Sequence, residues 1–514
     1  SFGAFGFLPI REFGVTLASM IALALLFDLH AVPSLVEWAL REKSEIDTRG
    51  GSGDSGIVEG FSSSTAEMSA KRAPKAASDS ATQHASERRS AISPESLSTL
   101  PPVIIVGAGT AGLTCAARLA AAGRSVLVLE ASDGAKRHVC GEYLCPSGVT
   151  VLGDLGWLDL LEGCAPIEGM VLVAPDGRVV EGDFPRDGDH HFGVAIDKQK
   201  LIEALAVRAR ALGAEIRYGV RVTRLESIDR GWRVHLADGT WIESGFLVGA
   251  DGRRSPVARA LGVTLADRPR RVSVRGFVTP VGIHARRGEM HVGEDGSYVG
   301  VNPISPNEVN VSICLDRDLL KKHGGPVAAL EAAVARSPRL RERYDWTTLR
   351  DVRGAYPVTH RVRRAIGRRA ALIGDAGGFL DPLTGEGITI ALWTGATLAA
   401  EVSELLETGN EVALEAALRR FARRKTKRFG PKALLSRTLQ GVIARPTWCN
   451  AIGRYLDRSP VRMRIFLGAI GNHYTPPRAL LRLLCAPAVL PRRGPRPGRT
   501  SQLSEAESGN GAHG

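Results

Sequence analysis

The stretch VIIVGAGTAGLTCAARLAAAGRSVLVLEAS, Val103 to Ser132, restricts this chain more than any other segment. Val103 to Val106 reads as a buried strand. Gly107, Gly109 and Gly112 follow as G-x-G-x-x-G, and an alanine-rich helix runs on to Gly123. The first glycine permits a tight turn, the second lets a pyrophosphate approach the backbone, and the third lets the helix pack on the strand. A second strand, SVLVLE, ends at Glu130, the spacing at which a carboxylate accepts ribose hydroxyls. A 2′-phosphate would be repelled by that charge. The motif therefore calls for FAD or NAD, not NADP.

Two later motifs extend the site. FLVGADGRRSPVARALG, Phe246 to Gly262, reads as a buried strand, an Asp251-Gly252 turn and a helix with a basic start. A hairpin, GWRVHLADGTWIESG, precedes it. RAALIGDAGGFLDPLTGEGITIALWTGATLA reads as strand, glycine-rich loop and long helix. Gly374 and Asp375 stand at the strand end, where the acid can accept a hydrogen bond from a polyol chain. The loop from Pro382 through Gly385 to Gly387 brings free N–H groups to the start of the helix, which suits anionic or electron-rich groups.

The rest of the 514 residues divides by texture. FGVTLASMIALALLFDLHAVPSLVEWAL, Phe13 to Leu40, is uncharged up to Asp28, and its apolar run reaches about the ~20 residues of a spanning helix. We read 1–41 as a transmembrane segment. Residues 42–100, rich in Ser, Ala, Gly and charge, read as a disordered linker. Residues 101–410 mix strands, Asp-Gly turns and amphipathic helices. A substrate sheet is expected at about 265–350, interleaved with the cofactor domain. Residues 411–484 read as helices and 485–514 as a disordered tail. The net charge of +13 and pI near 9.7 suit acidic partners, but no nucleic-acid motif occurs. The seven cysteines lack a C-x-x-C pair and read as reduced thiols. No metal site is expected.

The three motifs, in this order, resemble the FAD-dependent aromatic hydroxylase superfamily, and within it the geranylgeranyl-reductase-like branch. The resemblance implies a Rossmann-like α/β FAD-binding domain with an antiparallel substrate sheet. By residue match it implies that Gly107, Gly109, Gly112 and Glu130 bind the ADP half of FAD. Asp251 and Gly252 would lie near the pyrophosphate, and Gly374 and Asp375 at the ribityl chain. Lys198 in AIDKQKLIEAL stands where the family usually has an arginine near FAD. LDPLTGEGI and RHVCGEYLCPSG, Arg137 to Gly148, favour the reductase branch, although the second also resembles the Gly-Glu segment of flavin halogenases. In GSYVGVNPISPNEVNVSI, Tyr298 and Pro303 match a family strand, while Gly300 and Asn302 replace its aromatics. The first forty residues resemble the last transmembrane helix of resistance-nodulation-division transporters.

Cys140 and Glu142 are the candidate catalytic residues. A neighbouring Arg137 would lower the Cys140 pKa, Cys140 and Cys145 could pair, and a free cysteine is otherwise most often a small buried hydrophobe. A loop carboxylate such as Glu142 is ordinarily solvated. The expected protein is a membrane-associated FAD oxidoreductase that reduces C=C bonds of a small hydrophobic, isoprenoid or polyene-like lipid. Further G-x-G-x-x-G strings occur only in the linker (Gly51–Gly56) and the tail (Gly509–Gly514), where none follows a strand-like run or marks a donor domain, so an NAD(P)H donor would bind transiently. Arg41, Lys43 and the basic tract RRFARRKTKRFGPKALLSR, Arg419 to Arg437, predict that the FAD domain faces the cytoplasm. Monooxygenase chemistry is the rival. A halogenase is disfavoured by the lack of Trp-x-Trp-x-x-Pro. A silent flavin-binding domain fused to a transporter fragment is the alternative of another class.

Overall fold

Alternating runs of four apolar residues and amphipathic helices build the cofactor half. β1 (Val103–Val106), α1 (Thr110–Ala121) and β2 (Val126–Leu129) come first. β3 (Gly169–Val173), β4 (Val179–Asp183) and β5 (Phe246–Gly249) follow. Five longer strands are β6 (Arg271–Pro280), β7 (Arg287–Val292), β8 (Tyr298–Ser305), β9 (Glu308–Asp316) and β10 (Tyr344–Ala355). β11 (Ala370–Leu372) leads to α2 (Gly387–Val402), and then to α3 (Glu411–Ile443), α4 (Pro446–Asp457), α5 (Pro460–Ile470) and α6 (Pro476–Cys485). The structure, a computed structural model, describes residues 103–135, 138–186, 191–266, 270–282 and 286–486. These lie within one compact unit, Glu95–Gly514. The expected transmembrane segment, linker, transporter-like helix and most of the tail fall outside the described residues, as does Arg137. Among the described residues, no helix is long and apolar enough to cross a membrane.

The cofactor sheet is six-stranded, in the order Ile366–Gly367, β11, β5, β1, β2, Glu215–Arg217. All its pairings are parallel except that of Ile366–Gly367 with β11. β1, β2, β5 and β11 are buried on both faces, which is why they read as unbroken apolar runs. α1 and α2 cross closely because Gly395 has no side chain: a Cβ there would lie 2.5 Å from the Ala111 carbonyl oxygen.

The second sheet has seven strands, in the order β10, β6, β9, β8, β7, β3, β4. It extends beyond the expected 265–350, because β3 and β4 join from far upstream. β3 pairs in parallel with β7, Met170 opposite Gly288. Its two faces differ, as strict alternation requires. Val299 and Val301 of β8, and Val309, Val311 and Ile313 of β9, enter a core with Leu330 and Val334. Tyr298, Gly300 and Asn302, with Ser312 and Cys314, face the other way, into a cavity. α4 and α5 cover its far edge, where Val180, Leu456, Met463 and Leu467 are buried together.

Candidate cofactor and substrate site

A cavity of about 900 Å³ lies between the two sheets and α3–α5. Its lining includes Gly107, Gly109, Glu130, Lys198, Asp251, Gly252, Gly374, Asp375, Pro382, Gly385 and Gly387. Cys140 also lines it. Gly112 and Glu142 do not.

The first glycine loop follows its sequence logic residue by residue. Gly107 has φ 104°, and a Cβ there would sit 2.5 Å from the Ala250 carbonyl oxygen. Gly112 abuts the Gly107 carbonyl, so its role is helix packing. A Cβ on Gly109 would meet no protein atom within 4 Å. Gly109 is also the N-cap of α1 and offers no side-chain cap. The first N–H groups of the helix are thus left for an anion. Glu130 Oε2 accepts the Ala108 N–H at 2.9 Å, and Oε1 accepts the Ser132 N–H and hydroxyl at 2.9 and 2.7 Å. The carboxylate therefore holds the loop as well as facing the cavity, and Oε2 keeps a lone pair for one hydroxyl.

Asp251 is positioned by the helix after it: Oδ2 accepts the Val257 N–H at 3.1 Å. Its buried Oδ1 has no hydrogen-bond partner. Burial raises its pKa to about 6. Asp375 lies in the Gly374–Gly377 turn, with Arg253 Nε 3.8 Å from its Oδ2. Gly374 has φ 55°, and its N–H donates to the Thr394 hydroxyl at 2.9 Å. Asp381 anchors the next loop by accepting the Leu383 N–H at 3.0 Å. Gly385, at φ 65°, then turns the chain into α2.

The candidate catalytic residues depart from expectation. The Cys140 thiol lies above its ordinary pKa because burial outweighs the nearby Lys198, so the expected lowering is reversed. Cys140 and Cys145 are both free, and the Cys145 sulfur lies 3.1 Å from the Thr389 hydroxyl. Glu142 is fully buried with φ 49°, behind the cavity wall and away from solvent. The sheet face holds the Cys140–Gly141 segment: Asn310 Nδ2 donates to the Cys140 carbonyl at 3.1 Å, and Asn302 Nδ2 to that of Gly141 at 2.9 Å. The Tyr298 hydroxyl donates to the buried Asp381 carboxylate, near Arg271 and Cys314. Sequence reading passed over Asp381, Asn310 and Ser312, although the alternation in YVGVNPIS and EVNVSICLD marks one face of each strand as polar.

An open approach at Gly109, an uncapped helix start and an orphaned Asp251 oxygen fit a dinucleotide lying along the strand ends. With an antiparallel sheet closing over the far side, fold and site define an FAD-dependent oxidoreductase. The chain belongs to the FAD binding domain family, which matches residues 101–427. It is 29% identical over 388 residues to the menaquinone reductase of Mycobacterium tuberculosis, covering 73% of this chain and 91% of that protein. It is 28% identical over 326 residues to the digeranylgeranylglycerophospholipid reductase of Methanosarcina mazei, covering 60% and 76%. Its fold matches that of PqsL, a probable FAD-dependent monooxygenase from Pseudomonas aeruginosa, with a TM-score of 0.59 and 19% identity, covering 68% and 98%.

Proposed function

We propose that this protein reduces a carbon–carbon double bond in an amphiphile with a long apolar chain, with electrons from a transiently bound NAD(P)H. The observation behind this reading is the continuity of the cavity. It runs from the three cofactor loops to an end walled by Leu439, Val442, Ile443, Ile452, Leu456 and Phe466. Such an end favours an alkyl or prenyl chain by about 0.8 kcal/mol for each buried CH₂. The two reductases similar to this chain are named for lipid substrates, which supports the same class.

Reduced FAD, when bound, supplies hydride to one carbon of the double bond. The chain has to orient that bond, exclude water and deliver a proton to the other carbon. Cys140 lines the cavity, and burial keeps its thiol protonated at neutral pH, which suits a proton donor better than a nucleophile. Tyr298 also lines the cavity, and its hydroxyl is oriented by Asp381. Mass spectrometry of the product formed from an isoprenoid or polyene lipid with NADPH tests the reading: gain of two hydrogens supports it, and gain of an oxygen atom overturns it. The monooxygenase reading has one observation in its favour. Gly300 and Asn302 replace aromatics, so the sheet side of the cavity is polar.

Membrane contact is part of the proposal. Arg423, Lys427 and Arg437 of α3 are exposed beside Leu434. Basic residues near an anionic leaflet contribute about 1 kcal/mol each and are screened by salt. Cosedimentation of the full chain with anionic vesicles at low and high salt tests this. Salt-insensitive binding would assign the anchor to the N-terminal segment instead.

A further inference from the structure

The basic tract does not spend all its cations on the surface. The Lys425 ammonium donates to the Gly377 carbonyl, at the back of the turn that carries Asp375. Lys432 lies seven positions later, two turns along α3 and on the same side of the helix. It is 3% exposed. Its Nζ donates to the carbonyls of Ala469 and Ile470 at 2.7 and 2.6 Å and to Asn472 Oδ1 at 2.9 Å. Glu386 Oε1 lies 3.5 Å away.

Glu386 is itself 7% exposed and stands at the N-cap of α2, next to the cavity-lining Gly387. It also accepts hydrogen bonds from Thr384, at 3.0 Å, and from Asn472. The carbonyls around Lys432 come from the last turn of α5, the negative end of that helix, where a cation is favoured. A solvated helix face or a lipid-binding patch explains neither lysine, because both point inward. Taking an ammonium out of water costs several kcal/mol unless it is paired as fully as this one. What the two lysines share is their target. They meet the two ends of GGFLDPLTGE, Lys425 at the Gly377 carbonyl and Lys432 by its ion pair with Glu386, in the loop that lines the cofactor side of the cavity.

We propose that α3 is a charged splint for this loop. Lys425 and Lys432 are positioning residues that hold the loop at both ends, favour the reduced form of bound FAD, and slow its release. The electrostatic argument is direct. Reduction adds negative charge to the ring, so a buried cation behind the loop stabilises the product of reduction. Removing Lys432 also leaves the Glu386 charge uncompensated beside Gly387, which disfavours reduction further. The inference rests on FAD binding alone and is independent of whether the substrate gains hydrogen or oxygen.

The test uses the full chain purified with its flavin. Midpoint potential is measured by dye equilibration, FAD release by fluorescence, and unfolding temperature alongside. Lys432→Met should lower the midpoint potential and speed FAD release by about tenfold, the equivalent of 1.4 kcal/mol. Lys432→Arg should restore both. Lys425→Met should shift both readouts in the same direction by less. An unchanged potential and release rate in Lys432→Met, with only a lower unfolding temperature, would make the contact purely structural and overturn the proposal. If Lys432→Met does not fold, Lys425→Met decides, since its partner is a carbonyl and no carboxylate is left unpaired. Unchanged potential and release in that variant would overturn the proposal equally.

Discussion

At the cofactor end the cavity is shaped by backbone. Gly107 and Gly374 take left-handed conformations, Gly109 leaves an open approach, and three turns present N–H groups and carboxylates. At the apolar end it is shaped mainly by side chains, drawn from β3, β7 and α3–α5, with Gly453 the one glycine of those helices in the lining. The first construction tolerates few residue types at each position, because a Cβ or a lost acceptor is felt at once. The second tolerates many, because any apolar group of suitable volume closes the wall. The cofactor end should therefore fail in an all-or-none manner and the apolar end by degrees.

The sharpest separation is expected at Gly109. A Cβ at Gly109 meets no protein atom within 4 Å, so the Gly109→Val protein is expected to fold. It should unfold at the temperature of the flavin-free wild type and yet purify colourless; a retained flavin spectrum would break the assignment. Asp375→Ala comes next. It removes an acceptor worth on the order of 1–3 kcal/mol, so FAD affinity should fall tenfold or more in a fluorescence titration. The third test is pH. Asp251 keeps its proton up to about pH 6 in the folded protein, against a reference value of 3.8. Between those values the folded state binds more protons, so Asp251 makes stability fall as pH rises, by at most about 1.4 kcal/mol per pH unit. Thermal unfolding of the flavin-free protein across that range should show a shallower fall in Asp251→Asn. The smallest effect belongs to the apolar end. Leu439→Ala removes ~1 kcal/mol of chain contact. KM for a long-chain substrate should rise about fivefold, with the flavin spectrum untouched. A change in that spectrum would show that the two ends are not separable.

The same contrast explains what could be read from the residues in order. Gly107, Gly112, Glu130, Gly374 and Asp375 act over short spans, through turns and strand ends whose chemistry is local. β3 escaped because nothing in GMVLV names its partner, β7, more than a hundred positions later. The polar face of β8 and β9 was visible as alternation but not as a floor for Cys140, since that depends on how two distant segments meet. Glu142, a candidate catalytic residue by sequence, gives no sign there of its full burial, because burial of a single carboxylate leaves no periodic mark. The tract around Lys432 hides its buried member for a similar reason. A run of arginines and lysines looks uniform, and only helix phase together with a partner at Glu386 separates the inward member from its neighbours.

The parallel pairing of β3 with β7 has a consequence for how the molecule is made. Met170 finds Gly288 only after 118 further residues have been added (288 minus 170), and the helices that wall the apolar end are later still. A chain emerging from the ribosome therefore makes its first glycine loop and the β1 and β2 strands before β7 and the helices of the apolar end exist, and the Gly374–Gly387 loop follows β7. The lysines of α3 are made later still, so their contacts with Gly377 and Glu386 join that loop after it has been synthesised.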